Sequence, residues 1–522
     1  MALSQIGYGR NLTLATRNGN MFLNGADGSN GQGSSQRVFI TTPGSLTLAA
    51  NNIPLRGSVL RANGGAINLT ATTGNLNVSA NKATQWSAGF TNTYWDQAQL
   101  VATNGIDARS AGDMNLDGVY AHTWGRANFQ SGGNLTTSGK VNHWRVDNRP
   151  SAGSSYNGWY QDHEWVNYTS LTGNVGITLG AMGGHLRING TNVNGGSGTA
   201  SLQALGHVRL ETVMNDIVQN ATSTGWNRTW WGKTTTWTTY HDRAWRNVNA
   251  VNVNARDISI KAGNNLRIEA GDQALYHAVR NETDHQDTTH TRKSWIGIRY
   301  DKSTEHSTTR ISTPMVTHLY AWNGNLTSYS GGDQLYQGTI ANYYSRDIQA
   351  GVGERARADA RIILEGVKNS TTQSRTQEAN YVVWQKMVNQ GSTAETLVLP
   401  SFTGPNKPVF TAPGGISVQI PEGNFKSQIR TLSTQLGMGY LSGLLTRKVV
   451  NWQPVKLAYD TWNIQQSGLT PAGAALVAVA VAWATGGAGA GLVGQGVYGC
   501  QRLVFRLCEI AACRVLFVSS LE

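Results

Sequence analysis

The side chains with the clearest binding chemistry are aromatic and basic residues in one short stretch. The stretch "TGWNRTWWGKTTTWTTYHDRAWRN" covers residues 224–247 and contains Trp226, Arg228, Trp230, Trp231 and Trp237. Exposed tryptophan beside arginine and threonine stacks on sugar rings or on a protein partner. The stretch therefore predicts a contact surface for a receptor or a glycan. Packing of the same rings against the body of the protein is the alternative.

Three histidines raise the question of a metal site. His277, His285 and His290 lie in "HAVRNETDHQDTTH" together with two aspartates. A protein metal site needs about four converging ligands, and the spacing H-x7-H-x4-H matches no ligand pattern. We expect polar residues on an exposed ribbon here, and no metal or cofactor.

Catalytic carboxylates are sparse. Asp113 and Asp117 lie four residues apart on one predicted strand and share a face, as a hydrolytic pair would. The sequence contains no Walker loop, H-E-x-x-H or G-x-S-x-G motif. We therefore expect a protein that is not an enzyme. The alternative is a β-helix carbohydrate-active enzyme, a lyase or hydrolase, which requires acidic side chains aligned in one groove.

The composition favours short strands and turns over helices. Only 14% of the 522 residues are charged, 61 are glycine, and the polar load is carried by Asn, Thr, Ser and Gln. The net charge of +12 is spread along the chain without a dense Lys/Arg run, so we expect no nucleic-acid partner. Cysteine first appears at Cys500, and a body without cysteine needs no oxidising compartment to fold.

A short phrase recurs along the chain and defines the elements that position these residues. In "AGNNLRIEAGDQ" Leu266 and Ile268 alternate with Arg267 and Glu269, which places the apolar pair on one face of a strand. Similar pairs are Leu46/Leu48, Ile67/Leu69, Leu76/Val78, Met114/Leu116, Leu186/Ile188, Val208/Leu210 and Ile258/Ile260. Gly, Asn or Asp flanks most of them and is typical of tight corners with positive φ.

The spacing of the phrases predicts stacking. Leu46 and Ile67 are 21 residues apart, as are Met114 and Leu135. One short strand cannot bury its apolar face alone, whereas stacked copies bury a continuous column. We predict a right-handed parallel β-helix over residues 1–394, with about ten to fifteen coils and a length of about 50–70 Å. A propeller or sandwich is the alternative, but the steps are short and lack hairpin turns.

Longer segments interrupt the phrases and alternate Trp or Tyr with Thr, Arg and Asn. Residues 82–99, 141–169 and 224–247 are of this kind. They predict strand ribbons that leave the coil and return.

The phrases and one later segment resemble a known protein family. "GNNLRIEAGD" resembles the haemagglutinin repeats of two-partner-secretion exoproteins, the filamentous haemagglutinins and contact-dependent growth-inhibition proteins, and "STGWNRTWWGKTTTWTTYHD" resembles their second repeat region. "ETLVLPSFTGPNKPVFTAPGGISVQIPEGNFKSQI" and "VNWQPVKLAYDTWNIQQSGLTPAGAALVAVAVAWATGGAGAG" resemble the possible haemagglutinin module that precedes the toxic tip of such proteins.

The resemblance implies a non-enzymatic stalk or adhesin fragment that is secreted or held at the bacterial cell surface, associated with the outer membrane. The implied roles of such a fragment are cell adhesion, haemagglutination or presentation of a C-terminal toxin, and so virulence. The implied partners are an outer-membrane two-partner-secretion transporter, through an N-terminal domain that we expect before residue 1, and a target-cell receptor or glycan. A toxin would follow the C-terminal end.

The C-terminal quarter departs from the repeat. Residues 395–424 hold five of the 11 prolines and predict a connector at which regular coils stop. Residues 425–499 predict a small α-rich, pretoxin-like module. Its uncharged stretch 471–494, which includes Ala475, Val479 and Trp483, is long enough to contact or span a membrane; a packed helical hairpin is the alternative. Residues 500–522 read as an atypical tail, as from a frameshift.

Overall fold

The computed structural model describes residues 5–7, 10–28, 35–147, 158–228, 233–287, 298–381, 384–406, 408–447 and 449–469. Of these residues 69% lie in strands and 3% in helices, so the protein is almost entirely β. The strands form a 20-stranded, a 12-stranded and an 11-stranded sheet. Pairing within the two larger sheets is parallel, which confirms the expected all-β class and its large parallel sheets.

The 20-stranded sheet holds two columns of parallel strands. The first column contains Gln5–Gly7, Val38–Thr42, Ser58–Ala62, Ala98–Ala102, Val119–Thr123, Thr169–Gly173, His318–Ala321, Ile340–Asn342 and Ser401–Thr403. The second column contains Leu12–Ala15, Leu46–Ala50, Ala66–Ala71, Gly105–Ser110, Arg126–Ser131, Ile177–Ala181, Asn325–Ser330, Ser345–Ala350 and Phe410–Thr411. The long strands Thr191–Ala204 and Asn252–Ala262 run through both columns.

The 12-stranded sheet forms a third column. Its strands are Leu23–Asn24, Ile53–Arg56, Leu76–Ser79, Met114–Asp117, Leu135–Ser138, Leu186–Asn189, Val208–Glu211, Leu266–Ile268, Gln334–Gln337, Ile362–Glu365, Ile416–Pro421 and Val450–Val455. The chain visits the first, second and third columns in that order at successive levels, as in Ser58–Ala62, Ala66–Ala71 and Leu76–Ser79.

The register of the columns follows the spacing of the phrases. Leu46 pairs with Ile67, and Met114 pairs with Leu135. Each 21-residue step therefore brings equivalent residues side by side on neighbouring levels. Because the register repeats, the apolar side chains of successive levels meet their own equivalents.

The strands bury one face and expose the other. Leu266 and Ile268 are fully buried, while the side chain of Arg267 between them is 51% exposed. The other alternating pairs are buried in the same way, including Leu46/Leu48, Met114/Leu116 and Ile258/Ile260. One apolar cluster runs continuously from Met21 to Leu444. The period-2 prediction is confirmed, and this cluster holds the three columns together.

A ladder of side-chain acceptors explains why Asn, Asp or His stands directly before the apolar pair in the phrases of the third column. The acceptors, one on each successive level, are Asn52, Asn75, Asp113, Asn134, His185, His207, Asn265 and Asp333. Each accepts the backbone N–H of the equivalent residue on the next level, at 2.7–3.2 Å from nitrogen to acceptor. We call these residues the corner ladder. Each bond satisfies a backbone donor at the turn into the third column.

The glycine before the ladder residue has a steric reason. A Cβ added at Gly133 would lie 2.2 Å from Oδ1 of Asp113, and one added at Gly206 would lie 2.3 Å from Nδ1 of His185. Both atoms are acceptors of the corner ladder. In the Gly-Asn start of the phrase, Asn is the hydrogen-bond acceptor of its own level. The preceding Gly, which has no Cβ, leaves room for the acceptor atom of the previous level.

The 11-stranded sheet contains the three predicted ribbons and further strands that the sequence did not predict. Its strands are Asn81–Ser87, Phe90–Asp96, Lys140–Asp147, Gly158–Asn167, Val213–Arg228, Lys233–Asn249, Gly271–Asp287, Ile298–Met315, Val367–Tyr381, Trp384–Val398 and Tyr459–Leu469. All neighbours pair antiparallel, both within one ribbon and between ribbons from different levels. The ribbons therefore join into one sheet, the ribbon sheet, which the sequence did not predict.

The segment after Val398 corrects the expectation that regular coils stop in the connector 395–424. Regular pairing continues past the prolines, because Ser401–Thr403, Phe410–Thr411 and Ile416–Pro421 each add to a column. The prolines are accommodated because these strands are short and Pro421 lies at a strand end.

Helices occupy only part of the segment from residue 425. They are Phe425–Ser433, capped by Asn424, and Tyr440–Leu444. The helical prediction is wrong for Val450–Val455 and Tyr459–Leu469, since both are strands that extend existing sheets. Edge pairing with these sheets satisfies their backbone groups. Residues 471–494 and 500–522 lie outside the described residues.

Candidate functional site

The predicted contact residues at 226–237 lie at the far end of one ribbon. Trp226 and Arg228 belong to Val213–Arg228, and Trp237 belongs to Lys233–Asn249. In the backbone register Trp226 is opposite Thr236, and Trp237 is opposite Gly225. Trp226 and Trp237 thus occupy neighbouring register positions rather than a shared one. The Trp237 side chain is 43% exposed. Trp230 and Trp231 lie outside the described residues.

The predicted membrane-contact residues Ala475, Val479 and Trp483 also lie outside the described residues. Within the described ranges, no helix is both long and apolar enough to span a bilayer.

A hollow of exposed aromatic rings lies on the outer face of the first column, and sequence reasoning missed it. Tyr320, Trp322 and Tyr344 are 47%, 45% and 65% exposed and line a cavity of about 450 Å³ together with Asn342 and Thr403. We call these five residues the aromatic hollow. The signal was present in "LYAWNG", where rings alternate with a small residue, and in the adjacent rings of "ANYYSR".

The strands position these rings by alternation. Leu319 and Ala321 point into the core, so Tyr320 between them faces solvent. Tyr320 and Asn342 are register partners on adjacent levels, as are Asn342 and Thr403. Three successive levels thus present a ring, an amide and a hydroxyl in one row.

Tyr343 anchors the floor of the aromatic hollow. Its ring is 5% exposed, and burial raises the pKa of its hydroxyl to about 12. The hydroxyl therefore stays protonated at neutral pH. The neutral lining of ring faces, amide and hydroxyl suits stacking against an uncharged ring such as a sugar.

A second groove runs along the outer face of the second column. Gln203, Lys261, Tyr329 and Gln349 are register partners on four successive levels. They line a cavity of about 580 Å³, bordered on one side by residues 352–355. The Tyr329 hydroxyl donates to Asp347, and this bond, with burial, raises the pKa of Tyr329. The groove offers polar contacts along the column axis.

The carboxylates that were candidates for catalysis make structural contacts. Asp113 is part of the corner ladder. Asp117 forms an ion pair with Lys140 and accepts a hydrogen bond from Ser138, at 2.7 Å between oxygens.

One pair of acidic residues does align on adjacent levels. Glu211 and Glu269 follow the register partners Leu210 and Ile268. Arg209 bridges them, with nitrogen–oxygen distances of 3.0 Å to Glu211 and 3.2 Å to Glu269. Two further arginines, Arg187 and Arg267, contact the same carboxylates at 2.6 and 3.8 Å. The arrangement is a ladder of alternating charge.

The histidine group does not form a metal centre in the described part of the chain. His277 lies opposite Arg243 on the ribbon sheet, and only the backbone of His285 is described. His290 lies outside the described residues. No group of three or more metal-ligating side chains was found among the residues that the structure describes.

Comparisons with protein-family models, with curated proteins and with solved structures found no match to this chain.

Proposed function

We propose that the chain is a non-enzymatic rod of a secreted bacterial surface exoprotein, of the two-partner-secretion type that its phrases resemble. Within this proposal the three columns wind as a right-handed parallel β-helix. The rod serves adhesion or carries a toxic tip away from the cell, and it binds a receptor or glycan on a target cell.

The observation that carries the proposal is the repeated register of the three columns. The third column alone has 12 strands, and at about 4.8 Å per level this corresponds to a length of about 50 Å. Each level contacts mainly the levels before and after it, through core side chains and the corner ladder. Such nearest-neighbour stacking extends in one direction, as a spacer requires.

The aromatic hollow supports a contact role on the side of the rod. Its rings are exposed although apolar, and exposed aromatic clusters with polar neighbours are typical of binding surfaces. A sugar ring stacked on Tyr320 or Trp322 would meet the amide of Asn342 and the hydroxyl of Thr403.

A carbohydrate-active enzyme is the competing proposal. It needs two free carboxylates, or carboxylates gathered on a metal, in one groove. The arginine contacts favour the non-enzymatic proposal, because Arg187 contacts Oε2 of Glu211 and Arg209 contacts its Oε1, so both oxygens of this carboxylate are ion-paired. Incubation of the chain with a panel of polysaccharides tests this alternative. Release of reducing ends or unsaturated products that Glu211→Gln abolishes would establish the enzyme.

The test of the proposal combines shape and binding. Small-angle X-ray scattering of the full chain should give a distance distribution of an elongated particle. Fluorescently labelled chain should bind intact target cells, and Trp322→Ala with Tyr344→Ala should reduce binding about tenfold or more. Trp124→Ala is the matched control, because Trp124 is 65% exposed and directly follows the first-column strand Val119–Thr123 but lies outside the hollow. A compact particle, or equal loss with the control, would contradict the proposal.

A further inference from the structure

A second hollow, on one face of the ribbon sheet, is lined by positive charge and hydrogen-bond donors. Gln161, Gln219, His241, Arg243 and His277 line a cavity of about 230 Å³. No metal, catalytic or contact role described above uses these five residues, which we call the ribbon hollow.

The register of the ribbon sheet builds this hollow. Gln161 is opposite Gln219, Gln219 is opposite Arg243, and Arg243 is opposite His277. These four side chains form one row across four adjacent strands. His241 lies two residues from Arg243 and so points from the same face. Strands from three separate ribbons contribute, so the hollow exists only in the assembled sheet.

The charges in the ribbon hollow lack a carboxylate partner. Among the described residues, Arg243 forms no ion pair. Asp162 and Asp242 are adjacent in sequence to Gln161 and His241, so alternation directs them to the opposite face.

The remaining titratable groups on the hollow's own face are few. Glu305 of the next strand is bound to Arg375, at 2.7 Å between nitrogen and oxygen, and His163 lies one row nearer the columns. Burial lowers the pKa of His277, and the charges of Arg243 and His241 lower it further. A local excess of positive charge opposes protonation there, and a bound anion would relieve it.

We propose that the ribbon hollow binds an oxyanion: a sulfate, phosphate or carboxylate group of a ligand. The guanidinium of Arg243 offers two parallel N–H donors to two oxygens of such a group. The carboxamides of Gln161 and Gln219 add neutral donors, and protonated His277 adds a charged one. This site is independent of the proposed adhesin role, because it rests on the ribbon sheet alone.

The proposal carries a direction of pH dependence. The free protein holds His277 largely neutral at pH 7.5, while the bound anion favours its protonated form. Anion binding is therefore coupled to proton uptake, and affinity rises as pH falls toward and below the ordinary histidine pKa of about 6.5. Sulfate is the suitable probe because its own charge stays constant over this range.

Isothermal titration calorimetry on the full chain tests the proposal. Sulfate, phosphate and acetate are titrated at fixed ionic strength set with chloride, at pH 7.5 and 5.5. We expect sulfate to bind about tenfold more tightly at pH 5.5, and Arg243→Gln to weaken binding about tenfold or more. Tighter binding of sulfate and phosphate than of acetate would identify the ligand group as a tetrahedral oxyanion. The reverse order would identify it as a carboxylate.

Two variants control the result. Arg280→Gln removes an arginine whose guanidinium lies 4.3 Å from the Tyr240 ring centroid on the opposite face, and should leave binding unchanged. His277→Gln should keep binding at pH 7.5 and lose most of the gain at pH 5.5. Thermal unfolding midpoints identify any variant that misfolds. Absence of binding, or equal binding by Arg243→Gln and the wild-type chain, would overturn the proposal.

Discussion

At the scale of the residue, neighbouring positions in one strand have opposite roles. Leu266 and Ile268 are buried in the core, and the side chain of Arg267 between them is exposed to solvent. The same alternation places the aromatic hollow outside, because Leu319 and Ala321 fill the core. Which face a side chain occupies therefore decides how costly its replacement is.

Replacement of Leu266 should be far more damaging than replacement of Arg267. Leu266→Ala removes a fully buried side chain and should lower the free energy of unfolding by about 2–5 kcal/mol. Leu266→Asp buries an unpaired charge and should disrupt the neighbouring levels. Arg267→Ala removes an exposed ion pair and should cost about 0–1 kcal/mol. Urea unfolding with limited proteolysis measures the difference, and equal tolerance at the two positions would contradict the register.

Gly133 is a second position with a specific requirement. In Gly133→Ala the new Cβ displaces Oδ1 of Asp113, which then loses its bond to the backbone N–H of Asn134. We expect a loss of about 1–3 kcal/mol in unfolding free energy. Gly443→Ala is the control, because no atom lies within 4 Å of its new Cβ and alanine favours a helix. Unchanged stability of Gly133→Ala would show that the corner ladder contributes little.

At the scale of the element, the corner ladder changes chemistry at two levels. His185 and His207 occupy positions where the other levels use Asn or Asp, and their rings stack with centroids 4.9 Å apart. Nδ1 of His185 accepts the backbone N–H of His207, and Nδ1 of His207 accepts that of Asn265. An accepting Nδ1 carries no proton, so the ladder at these levels needs neutral imidazole.

This part of the ladder should weaken in acid. Burial lowers the pKa of His207, and His185 lowers it further. A base with a lowered folded-state pKa contributes stability that is complete above its unfolded pKa of about 6.5 and is lost as pH falls below that value toward the folded pKa. His207→Asn keeps an acceptor without a titrating group. Urea unfolding at pH 7.5 and 5.5 should therefore show a smaller loss for His207→Asn than for the wild-type chain, and equal losses would contradict this role.

The ribbon sheet should be the more dynamic element. Most side chains of Trp384–Val398 and Tyr459–Leu469 are exposed or half-buried, whereas the column strands bury every second residue. Backbone bonds with few buried apolar contacts open more readily. Hydrogen exchange followed by mass spectrometry should show earlier exchange in these two strands than in Leu46–Ala50 and Ala66–Ala71. Equal protection would indicate that another surface covers the ribbon sheet.

At the scale of the whole molecule, one apolar cluster runs through the columns, and its last members are Tyr440, Leu441 and Leu444. The Tyr440 hydroxyl donates to the carbonyl of Pro400, at 2.8 Å between oxygens, and the ring meets Phe402 and Phe410 edge-on. The short helices thus pack directly on the last levels of the columns.

The uncharged stretch 471–494 follows these elements in the sequence and remains a candidate for membrane contact. Flotation of the full chain with lipid vesicles should recover wild-type protein in the lipid fraction. Val479→Asp should reduce that recovery, because a charge at the centre of an inserted helix costs about 2.5–3.5 kcal/mol. Failure of both proteins to float would eliminate the membrane hypothesis and favour the packed hairpin.

The sequence by itself determined the local pattern of the columns. Alternation at Leu266 and Ile268 and the 21-residue steps from Leu46 to Ile67 and from Met114 to Leu135 were sufficient, because strand period and pairing register depend on neighbouring levels alone. The ribbons at residues 82–99, 141–169 and 224–247 were also predictable, since alternating aromatic and polar residues favour strands, whereas Val367–Tyr381 and Trp384–Val398 were not predicted.

Tertiary structure decided which distant residues meet. Asn and Asp in the phrases were expected to permit positive φ, yet among the described residues only glycine adopts it. In the corner ladder, the Asn and Asp side chains instead accept a backbone N–H of the next level. Three features depend on pairing between segments that are far apart in the chain. They are the union of the ribbons into one sheet, the ribbon hollow across Gln161, Arg243 and His277, and the continuation of the columns past Pro400. Such pairing satisfies backbone N–H and C=O groups whatever side chains the residues carry. It therefore leaves little trace in the local sequence pattern.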